Sequence, residues 1–101
     1  MYNYEIRNEV NHFIRQFNGA ENVFINGMCY WFAFILQTRF EIGEIIYDSV
    51  AGHFMWMFDG GAFDVEGEHE LPERFETWQE IKLTDDRRYL RILRDCVFKA
   101  S

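Results

Sequence analysis

Met28-Cys-Tyr-Trp-Phe-Ala-Phe-Ile-Leu-Gln-Thr-Arg-Phe40 is apolar nearly all the way round, and the rest of the chain arranges itself about it. The run is longer than an ordinary buried strand and follows a turn pair, Asn26-Gly27, so it reads as a helix. A helix with no polar face is buried on most of its sides. Upstream, Ile6, Val10, Phe13, Ile14 and Phe17 recur at helical spacing over residues 3–17, and Asn18-Gly19 stops that helix. Downstream, the period changes at Gly43. Glu44–Asp48 reads as a short strand, and 53–58 with 62–65 as a hairpin about Asp59-Gly60-Gly61. Residues 66–83 read as irregular and acidic. Thr84 with Asp85 and Asp86 reads as a helix start, and Tyr89, Leu90, Leu93, Cys96 and Val97 form the apolar face that follows. The expected fold is α+β in one domain over residues 1–101. It has an N-terminal helix, a buried central helix with a cysteine at its start, a small antiparallel sheet with a hairpin, and a C-terminal helix.

Composition narrows the function. The chain has 101 residues, is 49% apolar and 19% aromatic, and contains one proline, Pro72. That composition supports a core without disulfide or metal staples. A formal net charge of -7 argues against nucleic-acid binding, which depends on lysine and arginine at phosphates. The apolar run Met28–Leu36 is far short of the ~20 residues that span a bilayer, so no membrane partner is expected. The polar start Met1-Tyr2-Asn3-Tyr4-Glu5 does not read as a signal peptide. A cytoplasmic protein with reduced thiols is the expectation. Cys29 and Cys96 make neither a disulfide framework nor a four-ligand zinc site, although one bridge between them stays open.

Cys29, His53 and Asp64 stand out together. A helix start and a nearby imidazolium both stabilise a thiolate. A carboxylate orients such a histidine and fixes its tautomer. Each residue also has a plainer reading: Cys29 as a small core hydrophobe, His53 as a hydrogen-bonded structural side chain, Asp64 as an acid near a turn. His69 lies between Glu68 and Glu70, but no second histidine stands at ligand spacing to it, and Asp59-Gly60-Gly61 lacks the further acids of a calcium loop. No metal or organic cofactor is expected.

The segments Asn26-Gly27-Met28-Cys29-Tyr30-Trp31-Phe32-Ala33, Gly52-His53-Phe54 and Phe63-Asp64-Val65-Glu66-Gly67 resemble compact papain-like and transglutaminase-like cysteine folds. They also look like small bacterial and phage proteins of that kind. The resemblance covers roughly residues 22–67, and the order Cys, His, Asp is its strongest part. It implies Cys29 as nucleophile, His53 as general base and acid, and Asp64 as the orienting group. The papain signature has a glutamine a few residues before the cysteine, where this chain has Asn22 and Asn26. The Asn26 amide and the Cys29 backbone N–H are the oxyanion-hole candidates.

Hairpin register leaves the acid open. A two-residue turn at Gly60-Gly61 sets His53 opposite Glu68, with Glu66 next in reach. A turn at Phe58-Asp59 sets it opposite Asp64. Met55 and Met57 share the face of His53 by strand period and are pocket candidates. Two functions follow. One is a hydrolase or acyltransferase acting on a peptide, isopeptide or other amide bond in a protein or peptide substrate. The other is a non-enzymatic acidic interaction protein, of the kind a phage uses against a host factor. It would act through residues 64–80, which carry seven acids against one base, Arg74.

Overall fold

A computed structural model describes residues 4–25 and 28–98. Helices α1 (Tyr4–Arg15), α2 (Glu21–Ile25) and α3 (Cys29–Phe40) come first. Strands β1 (Glu44–Asp48), β2 (His53–Phe58), β3 (Gly61–Asp64), β4 (Gly67–His69) and β5 (Glu76–Thr77) follow, then α4 (Trp78–Thr84) and α5 (Asp86–Ile92). Leu93–Phe98 continues α5 as a wider π-helical winding. The strands form one antiparallel sheet in the order β4-β3-β2-β1-β5. The α+β expectation holds.

Strand alternation divides the side chains between two faces. Phe54, Trp56 and Phe63 join the main core with Val10 and Ile14 of α1, Phe32 and Leu36 of α3, and Trp78 and Ile81 of α4. Ile46, Met55 and Ala62 form a smaller cluster on the opposite face, with Leu71 and Phe75 packed against it. The central helix is less enclosed than its composition implies. Cys29, Phe32, Ala33 and Leu36 are buried, but Phe34 is 45% exposed. A domain this small has a sheet for one side of α3 and too little chain to wrap the other.

Gly43 joins α3 to the sheet with φ +77, and a Cβ there would run into the Met57 carbonyl and the Trp56 ring. The chain passes so close because Trp56 Nε1 donates to Gln37 Oε1 at 3.1 Å and to the Ile42 carbonyl at 2.8 Å.

Several expectations need correction. Residues 66–83 contain β4, β5 and α4. Strands of two or three residues are too short to show a period, and they form because β3 and β1 offer open edges. Thr84 ends α4 rather than starting a helix, and its Oγ1 donates to the Glu80 carbonyl at 2.7 Å. Thr77 caps α4, accepting from Glu80 N–H, and Asp85 caps α5, accepting from Arg88 N–H. The hairpin turn is Asp59-Gly60, midway between the two registers considered. Trp56 pairs with Phe63, Met57 with Ala62 and Phe58 with Gly61. Both turn residues have positive φ, +51 and +80, which a tight hairpin turn of this twist demands.

Candidate functional site

The corrected register decides which acid meets His53. Continued outward from Trp56–Phe63, it sets Met55 opposite Asp64 and His53 two residues beyond Met55. His53 and Asp64 are then diagonal neighbours on one face, within reach of a histidine side chain. His53 Nε2 lies 2.9 Å from Asp64 Oδ2. An ionised carboxylate only accepts, so Nε2 carries the proton and donates. Cys29 opens α3, beside the start of β2, where its Sγ accepts from the Phe54 N–H at 3.5 Å and lies within the electrostatic influence of the His53 imidazole. With Nε2 on the carboxylate, Nδ1 is the imidazole nitrogen left for sulfur.

The electrostatics follow from these contacts. Burial works to raise the Cys29 thiol. The hydrogen bond from His53, the Phe54 N–H, the imidazole charge and the Tyr30 N–H together outweigh it, and the thiol ends below its ordinary 9.0. His53 rises from 6.5 to about 10, first through its hydrogen bond to Asp64 and then through Cys29. Burial also works to raise Asp64. Donors from His53, His69 and the Glu66 N–H overcome it, so the carboxyl sits below its ordinary 3.8. The shifts of Cys29 and His53 both run toward a thiolate and an imidazolium, with a carboxylate behind them.

That state has a pH signature in stability. The folded protein releases the Cys29 proton below 9.0 and keeps the His53 proton above 6.5. Where the windows overlap, the imidazole gains what the thiol loses. Folded and unfolded chains then bind equal numbers of protons across the pair, and stability is flat with pH. Cys29→Ser removes one side. His53 keeps a raised value through Asp64, so its stabilisation is complete below 6.5 and is lost as pH rises toward its folded value. The melting temperature of the variant is expected to fall relative to wild type as pH rises toward 9.0 in thermal melts. A constant offset across that range would show that thiol and imidazole are uncoupled.

The other nominated residues separate clearly. Asn26 lies outside the described residues. Cys29 is a free thiol. Met55 lines an open pocket of about 480 Å³ with Ala51, Gly52, His53, Asp64, Glu66 and His69. Met57 does not line it and packs instead against the buried cluster of Ile46, Met55 and Ala62. Glu68 is not the orienting acid: opposite Phe63, it faces α1 and pairs with Arg7. Glu66 contributes its backbone N–H to Asp64 Oδ1 at 2.8 Å, not its carboxylate to His53. One residue of the network was not foreseen in this role. His69 Nε2 lies 2.8 Å from the same Oδ1, because β4 pairs His69 with Ala62 and so sets it diagonal to Asp64. Only a register for the second hairpin could have signalled this. Ligand atoms of Asp64, Glu66 and His69 lie within 4.8 Å of one another, yet both Asp64 oxygens are already taken by these donors.

The fold and this network define a small α+β protein with a cysteine, a histidine and an aspartate joined at the head of a central helix. Residues 6–99 match the phage YunG-like protein family, and the chain belongs to it. No curated protein and no solved structure matches the chain. No described helix is long and apolar enough to cross a membrane.

Proposed function

We propose that this protein is a papain-like cysteine hydrolase or acyltransferase that acts on a peptide, isopeptide or other amide bond. The observation that carries the reading is the His53–Asp64 hydrogen bond beside Cys29, with the sulfur at a helix start and the carboxylate buried. The Cys29 thiolate attacks the carbonyl carbon, and a C–S bond forms. The C–N bond breaks as His53 gives its proton to the leaving amine. Water, deprotonated by His53, then attacks the thioester, so a C–O bond forms, the C–S bond breaks, and thiolate and imidazolium return. An amine in place of water gives transfer instead of hydrolysis. The Cys29 backbone N–H, among the first free donors of α3, is suited to the oxyanion. No organic cofactor takes part.

The alternative is an acidic interaction protein working through residues 64–80. It has less support, because two of those acids serve the fold: Glu68 pairs with Arg7, and Glu76 pairs with Arg88 at 2.7 Å.

Iodoacetamide alkylation of native protein from pH 5 to 9, read by peptide mass spectrometry, tests the proposal. Cys29 is expected to react below pH 7, with its inflection below the ordinary thiol value of 9.0. A Cys29 that stays unmodified until the protein unfolds would end the catalytic reading.

A further inference from the structure

Asp64 is held from two sides. Its side chain is 6% exposed, and each carboxylate oxygen faces a different imidazole, His53 at Oδ2 and His69 at Oδ1. We infer that His69 is a positioning residue of the site: it holds the Asp64 carboxylate in the plane from which Oδ2 orients His53. This rests on the proposed Cys29–His53 chemistry and extends it to a residue that acts through Asp64.

The geometry requires His69 to donate. Oδ1 belongs to an ionised carboxylate, so the nitrogen 2.8 Å away carries a hydrogen. A carboxylate bound at one oxygen is free to swing about its last torsion, and its grip on an imidazole swings with it. Two donors meet at Oδ1 to prevent that, the Glu66 N–H and His69 Nε2. The first is backbone, at the turn into β4. The second is a side chain from the edge strand, so it ties the far side of the sheet to the relay. His69 is 40% exposed and lines the same pocket as His53, a surface position that packing alone does not explain. Because Glu66 N–H remains when His69 is removed, the expected effect is a weakening of the relay, not its loss.

The test is the pH profile of Cys29 alkylation by iodoacetamide in wild type, His69→Ala and His69→Gln, with the melting temperature of each. Glutamine places an amide N–H near the position of Nε2 but cannot titrate. The alanine variant is expected to alkylate ~3- to 5-fold more slowly at pH 6, with its inflection moved to higher pH. The glutamine variant is expected to recover most of that rate. Rescue by glutamine identifies the N–H as the active feature, which a purely structural loss would not reproduce. If wild type alkylates readily and the alanine profile superimposes on it, the positioning role is overturned and the proposed function stands. If glutamine fails to rescue while both variants melt alike, the N–H is not what His69 supplies, and the role is again overturned. If wild-type Cys29 itself is inert below pH 7, both readings fall together.

Discussion

His53→Ala is expected to slow alkylation of Cys29 at pH 6 by ~10- to 30-fold. The size follows from two opposing effects. Without the imidazole, the sulfur keeps its burial and loses the hydrogen bond and charge that outweigh it. A thiol at its ordinary 9.0 is only ~0.1% thiolate at pH 6, and a buried one less. The thiolate that remains is more basic and more nucleophilic, which returns part of the lost rate. The variant inflection should move to or above the ordinary 9.0, so the two profiles converge at high pH. Peptide-level mass spectrometry of the time course separates Cys29 from Cys96. Equal rates at pH 6 would mean that the imidazole does not activate the sulfur, whatever their proximity.

Arg7→Ala is expected to cost ~3 kcal/mol of stability, read as a lowered midpoint with unchanged slope in urea unfolding. Arg7 stands on α1 with its side chain 7% exposed. Its Nε donates to Asp59 Oδ2 at 3.1 Å, and its terminal nitrogens reach Glu68 and the Asp59 carbonyl. Its guanidinium also lies 5.7 Å from the centre of the Phe63 ring. One cation thus binds the turn of the first hairpin, the edge strand of the second, and the helix that covers them. Removing it takes this cation from both carboxylates, and the turn residue Asp59 already sits at φ +51. Glu68 is partly open to water, which keeps the figure at the low end for a broken buried pair. Glu68→Gln in the Arg7→Ala background should recover part of the loss. A cost below ~1 kcal/mol would make this an ordinary surface pair.

Neither Arg7 nor His69 was legible, and the reasons are physical. Arg7 looks like any charge on the polar side of an amphipathic helix. Its partners stand 52 and 61 positions away, and only packing of α1 on the sheet brings them near. His69 depends on register. A slip of one residue exchanges the faces of a strand, so its diagonal to Asp64 exists for one pairing of β3 with β4 and for no neighbouring one. The first hairpin shows how close such a reading can come. Asp59-Gly60 is the pair whose chemistry suits two successive left-handed residues, and the two expected turns, Phe58-Asp59 and Gly60-Gly61, lie one residue to either side of it.

The sequence by itself determined the α+β class, the coarse order of N-terminal helix, central helix, antiparallel hairpin and C-terminal helix, and the placing of Cys29 at a helix start and His53 at a strand start. Those features live in local periodicity and in the Asn-Gly and Asp-Gly breaks, which act over a few residues. Only the tertiary structure decided that α3 leaves Phe34 in water, that Glu68 serves Arg7, and that Asp64 lies between two histidines. Each of these depends on which face of one element meets which face of another. Burial and strand register settle that through contacts between distant parts of the chain, and no local pattern carries them.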